Sequence, residues 1–230
     1  MTLSRHSTTN GTHVAVFDTV FTALLFGFGI GFVGSIPIAG PTAVVVVDST
    51  LANRPRTALD VAIGAAVAES MYAAGAFWGL TALFTGYPVL VPATRVFGAV
   101  VLVLVGIYFL QRRIRPHTWR SHQLENHHGR RLLFGFTITL FNPTLAATWA
   151  AAVAAVHSVF TVTYSRFDAL PFALGAGLGI IGWFWLLVRL LCRFRERVQP
   201  TMLNHLIRMT GGALVVVGVA LAARAAIPMH

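Results

Sequence analysis

The sequence predicts an all-α integral membrane protein. Six transmembrane helices are expected as two inverted three-helix repeats, with the first and fourth helices broken. Three observations carry this expectation. The 230-residue chain is 56% hydrophobic and 10% charged, with a mean hydropathy of +0.74, whereas a soluble domain has about 25% charged residues. Six apolar stretches each approach or exceed the roughly 20 residues a span requires. Two of them carry proline behind a helix-capping residue, at Gly40-Pro41 and Asn142-Pro143.

The first span runs from Phe17 to Asn53, about 37 residues or roughly 55 Å as straight helix, which exceeds the hydrocarbon core. It contains Gly34-Ser-Ile-Pro-Ile-Ala-Gly-Pro-Thr42. Pro37 and Pro41 lack an N–H and clash with the preceding turn, so the helix must break. Backbone groups freed inside a bilayer need partners in protein or in a wet cavity, which makes the break a candidate site. Pro41 suits the first position of a new helix with Gly40 as its cap. That helix would aim free N–H groups at an anionic group such as a carboxylate.

The second span covers Thr57 to Phe84 and the third Leu90 to Leu110. A polar loop, 111–131, separates the halves. The fourth span covers Leu132 to Ser158, broken at Phe141-Asn-Pro-Thr144. The fifth covers Asp168 to Leu191 and the sixth Leu206 to Ala226. All this reads as one transmembrane domain over residues 1–230, with repeat 1 at about 14–110 and repeat 2 at about 132–228. The polar first 13 residues lead into a long apolar run without a convincing small-residue cleavage site, so a cleaved signal peptide is not expected.

All 17 basic residues are arginine, and the net charge is +10. Most flank apolar spans, so membrane orientation and anionic lipid headgroups account for them, and nucleic acid is not expected as a partner. Arg54 and Arg56, the arginines of the 111–131 loop, and Arg193, Arg195 and Arg197 fall on one side. The other side holds Arg5, Arg95, Arg166 and Arg224. The positive-inside rule then places both termini outside the cytoplasm. One cysteine, Cys192, excludes a disulfide framework and a CxxC redox pair.

The halves repeat. Gly40-Pro-Thr-Ala43 matches Asn142-Pro-Thr-Leu145, Ala62-Ile-Gly-Ala65 matches Ala173-Leu-Gly-Ala176, and Arg95-Val-Phe-Gly98 matches Arg208-Met-Thr-Gly211. Three spans per repeat invert the second half. Inverted repeats with broken helices at corresponding positions mark a secondary transporter.

Glu69 is the acid to note. It sits near the middle of the second span, where a carboxyl group is costly and by default belongs to a transport or proton path. Tyr72 shares its helical face. Asp48, two turns past Pro41, is a second proton-coupling candidate or an ion-pair partner of Arg54 or Arg56. Glu69 corresponds to the apolar Ile180 in the second half, which suits one coupling proton. Asp18, Asp60, Glu125, Asp168 and Glu196 read as solvated or interfacial charge. Trp149, six residues past Pro143, shapes the pocket or, on the plainer reading, serves packing, and the same pair of readings holds for Tyr72.

The stretch Gly40-Pro-Thr-Ala-Val-Val-Val-Val-Asp-Ser-Thr-Leu-Ala-Asn-Arg-Pro-Arg-Thr-Ala-Leu59 resembles the first signature of the LysE/RhtB amino-acid exporters. Gly64-Ala-Ala-Val-Ala-Glu-Ser-Met-Tyr72 resembles that family's second span, and Phe141-Asn-Pro-Thr144 its Asn-Pro-Lys signature, with Thr144 in place of the lysine. The resemblance covers essentially the whole chain. It implies export of amino acids or related small metabolites from a bacterial cell across the cytoplasmic membrane, coupled to proton entry. The substrate site is then expected at Gly40, Pro41, Thr42, Asn142, Pro143, Thr144, Glu69 and Tyr72, with Glu69 or Asp48 carrying the proton. An alternative is export of a metal or other inorganic ion on the same scaffold.

No enzyme is expected, since no HExxH, paired intramembrane Asp or Gly-x-Ser-x-Gly pattern occurs. No cofactor is expected. His117, His122, His127 and His128 read as a solvated loop rather than a metal site, because no Cys or Asp accompanies them. Gly27-x-x-x-Gly31 and Gly175-x-x-x-Gly179 admit close helix packing within the chain or in a homodimer.

Overall fold

A computed structural model of the chain describes residues 8–36, 40–87, 91–111, 127–159, 165–194 and 200–226. These residues form α-helices: α1 (Thr8–Gly34), α2 (Pro41–Leu51), α3 (Pro55–Gly86), α4 (Val91–Gln111), α5 (His128–Leu140), α6 (Pro143–Val159), α7 (Ala169–Arg193) and α8 (Pro200–Ala226). A 3-10 turn at Arg166–Asp168 leads into α7.

Both expected breaks are present. α1 ends at Gly34 and α2 starts at Pro41, after Gly40 in an extended conformation. α5 stops at Leu140, and α6 restarts at Pro143 with a 73° bend across the break. The 111–131 loop is shorter than hydropathy suggests, because His128 to Arg131 belong to α5. α8 likewise starts at Pro200, so Arg208 lies two turns inside it rather than at its mouth. Proline at the first helical position marks that start. The stretches Pro55–Leu83 and Arg166–Arg193 are long and apolar enough to cross a membrane alone, and the α5–α6 pair is so when taken together.

α2 keeps a β-branched Val44–Val47 run helical through tertiary packing, since Val45, Val46 and Val47 are all buried. It ends in a tight turn. Asn53 takes a left-handed φ of 64°, a conformation Asn tolerates, and the Arg54 N–H returns to the Ser49 carbonyl at 2.9 Å. Pro55 then opens α3. α3 is the central helix and packs against α2, α5, α6 and α7, while α1 lies along α7 and α4 along α8.

Glycine-mediated crossings set the helix spacing: α4 meets α8 closely at Gly106 and Gly218, and two further crossings lie around α3 and α7. Where α3 crosses α5, Gly64 lies against the backbone of Leu132 and Phe136, and Gly135 against that of Val61. Where α1 crosses α7, Gly175 lies against Leu24 and Phe28, and Gly27 against Phe172. Neither crossing has room for a Cβ.

Candidate functional site

The candidate site lies where the two breaks meet. Thr42, in the first turn of α2, and Thr139, in the last turn of α5, share a buried hydroxyl–hydroxyl hydrogen bond of 2.8 Å. Tyr72, on α3, donates its hydroxyl to the Leu140 carbonyl. That carbonyl is among the last four of a helix, which have no partner within it. One turn away on α3, half-buried Glu69 is hydrogen-bonded to the side chain of Trp149 on α6. Trp149 is buried, so its indole N–H requires such an acceptor. α3 is thereby joined to both sides of the second break, and α5 bridges to the first.

Behind this polar seam stands an aromatic wall. Trp149 meets Phe172 edge-on at 6.2 Å between centroids, and Phe172 packs on Phe77 at 4.7 Å. Ile180 is fully buried in the same core, and Ser70 bonds the Ala66 carbonyl beside Gly177.

Gly40, Pro41, Thr42, Glu69 and Tyr72 thus lie on elements that converge with Asn142. Thr42 and Tyr72 use their hydroxyls as struts between helices. The first turn of α2 still offers the N–H groups of Thr42 and Ala43, which lack acceptors within the helix, since Val44 N–H already bonds Gly40 and Pro41 has none. The side chains of Pro143 and Thr144 lie outside the described residues. Asp48 sits about 10 Å along α2 from Pro41, at the far end of that helix.

Thr139 and Leu140 were not legible in the sequence, and the bond of Trp149 to Glu69 was not either. Thr139 belongs to no motif, and only its apposition to Thr42, 97 positions away, gives it a role. Trp149 reads as packing until Glu69 is placed against it.

Two acids read as solvated or interfacial charge are buried within the chain. Asp60 is 8% exposed and is held by Arg131 at 3.3 Å and His128 at 2.9 Å, both from the start of α5. An exposed carboxylate would have cost less, but Asp60 keeps its charge compensated across the α3–α5 crossing. Asp168 is 5% exposed and closes a capping box with Ser165 ahead of α7. His128 therefore meets the Asp60 carboxylate through its Nδ1. His117, His122, Asp18 in its side-chain detail, Glu125 and Glu196 fall outside the described residues. Among the described residues, no group of three or more His, Cys, Asp or Glu is placed to hold a metal ion.

A groove of about 660 Å³ lies away from the seam, between the start of α3 and the end of α7. Compared with known proteins, residues 32–225 match a family model described as LysE type translocator. No curated protein and no solved structure matches the chain.

Proposed function

The chain belongs to the LysE type translocator family, so it is a multi-pass membrane exporter of small molecules rather than an enzyme, and we propose that its cargo is an amino acid or a related small metabolite, exchanged for protons. The observation that carries this reading is the position of Glu69. The residue is half-buried, with its carboxyl group bonded to Trp149 and one turn from the Tyr72 strut that reaches the second break. A carboxyl group placed among apolar helices is costly to keep charged and can take up and release a proton during transport. The breaks supply the complementary chemistry. Backbone N–H groups at the start of α2 receive a carboxylate, and Glu69 receives an ammonium group.

The same reading includes six spans in two inverted repeats, in the cytoplasmic membrane of a bacterial cell. The matched crossings support it. Gly64 meets Leu132 and Phe136 as Gly175 meets Leu24 and Phe28, and Gly135 meets Val61 as Gly27 meets Phe172. An internal two-fold relation between the halves would pair the contacts in this way.

The test is efflux from proteoliposomes loaded with basic, neutral or acidic amino acids, with and without an imposed proton gradient. Gradient-dependent efflux of one class, lost in Glu69→Gln, is the expected result. Gln keeps an oxygen for the Trp149 N–H, so the fold is preserved. Flux that keeps its gradient dependence in Glu69→Gln would remove Glu69 from coupling. Flux of inorganic ions alone would overturn the amino-acid assignment.

A further inference from the structure

The groove between α3 and α7 is not used by the transport reading. It is lined by Pro55 and Leu59 at the start of α3, and by Trp185, Arg189, Cys192 and Arg193, with intervening aliphatic side chains, on the last turns of α7. Its walls are apolar, and its charged lining groups are both arginines. The nearby acid, Asp60, is buried on the other side of α3 and compensated by Arg131 and His128. Among the described residues, neither Arg189 nor Arg193 is paired with an acid, and an apolar trough edged by such positive charge fits a ligand with an apolar tail and an anionic head.

Its place in the fold narrows the ligand further. The Arg166–Arg193 stretch is long and apolar enough to cross a membrane, and the groove lies at its final turns. Trp and Arg at the end of such a span sit at the level of lipid headgroups. Arg189 and Arg193 are four residues apart, and so share one face of α7. The Arg189 guanidinium is stacked 4.2 Å from the Trp185 ring centroid. Stacking fixes its plane and leaves its N–H edge available for the two-pronged recognition of a phosphate.

We propose that this groove is a binding site for one anionic phospholipid of the surrounding leaflet, its phosphate held by Arg189 and Arg193 and an acyl chain laid along Leu59 and Leu190. The site is independent of the transported substrate, and its test does not involve transport. Cys192 is the one cysteine of the chain, is exposed, and lines the groove, so it reports occupancy without an added label site.

The full chain is reconstituted in vesicles of phosphatidylcholine alone, or of phosphatidylcholine mixed with phosphatidylglycerol. Native mass spectrometry after release from the mixed bilayer should show one retained phosphatidylglycerol, in excess over phosphatidylcholine. Alkylation of Cys192 by the uncharged reagent N-ethylmaleimide should slow severalfold when phosphatidylglycerol is present. In an Arg189→Gln, Arg193→Gln double variant, both effects should disappear. Equal retention of the two lipids by the wild type, or Cys192 alkylation indifferent to phosphatidylglycerol, overturns the proposal without requiring the variant to fold. Retention undiminished in a well-folded double variant overturns it as well.

Discussion

Substituting Gly64 by alanine should part α3 from α5. A Cβ at Gly64 would lie 2.8 Å from the Leu132 carbonyl carbon and 2.9 Å from the Phe136 nitrogen, and closer still to the Leu132 carbonyl oxygen, whereas ordinary contact begins at 3.4 Å. Backbone atoms of a facing helix cannot rotate away as a side chain can, so the helices must separate by something on the order of 1 Å. The 2.8 Å bond between Thr42 and Thr139 and the 3.3 Å contact of Arg131 with Asp60 both depend on α5 staying in place. Overpacking of this kind costs about 1–3 kcal/mol. A broken buried hydrogen bond adds about 1 kcal/mol. The better helix propensity of alanine returns less than about 1 kcal/mol. A net loss of roughly 1–3 kcal/mol should lower the midpoint of heat-induced loss of the monodisperse peak in detergent by several degrees. Gly75→Ala and Gly79→Ala are the controls, because a Cβ at either position meets nothing within 4 Å. They should melt at or slightly above the wild type. A Gly64→Ala protein as stable as Gly75→Ala would refute the close-crossing argument.

Three further outcomes follow from the same geometry. Thr42→Val or Thr139→Val alone strands one buried hydroxyl and should cost about 1–3 kcal/mol, while the double variant should cost less than the sum of the two, as read from a double-mutant cycle of melting midpoints. Arg131→Met leaves Asp60 buried with only His128 beside it and should cost up to about 3–5 kcal/mol; adding Asp60→Asn should recover much of that loss, and no recovery would mean that the arginine acts by packing alone. In Asp60→Asn, amide hydrogen exchange should rise in the first turns of α3 and α5 and stay at the wild-type level in α1 and α7, because the ion pair secures only one of the two crossings.

The breaks were the most legible feature because their cause is local. Gly40-Pro41 and Asn142-Pro143 combine a capping residue with a residue that cannot sit mid-helix, and α2 and α6 start at those prolines. Pro200 carries the proline half of that signal and starts α8, yet hydropathy, which ignores helix-start signals, places that start several residues later. Hydropathy fails in the same way at His128–Arg131, where polar residues continue α5 because Asp60 receives them. Asp60 and Asp168 lie near span ends, so sequence position suggests water around them. Their burial depends on partners that position alone does not reveal: Arg131, 71 positions away from Asp60, and a capping box that turns Asp168 back onto its own backbone. Glu69 stood out because an acid in an apolar run is rare. Its partner Trp149 did not, since an aromatic residue in an apolar helix is ordinary.

The two crossings are matched in glycine and unmatched in charge. Aligning Gly64 with Gly175 and Gly135 with Gly27 sets Pro171 against Asp60, Ala23 against Arg131 and Val20 against His128. The α1–α7 contact is instead held by aromatic packing, with Phe32 edge-on to Trp183 at 5.6 Å and stacked with Phe28 at 6.0 Å. Separating α1 from α7 exposes apolar surface, which costs little in lipid. Separating α3 from α5 also strips Asp60 of its compensating charges, which is expensive in any low-dielectric medium. If transport alternates between opening one crossing and opening the other, the α3–α5 side carries the higher intrinsic barrier. The Thr42–Thr139 bond and the Tyr72 bond to Leu140 lie beside that crossing and close to Glu69. A change in the charge of Glu69, or an ammonium group arriving beside it, therefore acts next to the bonds that keep the more strongly secured crossing shut.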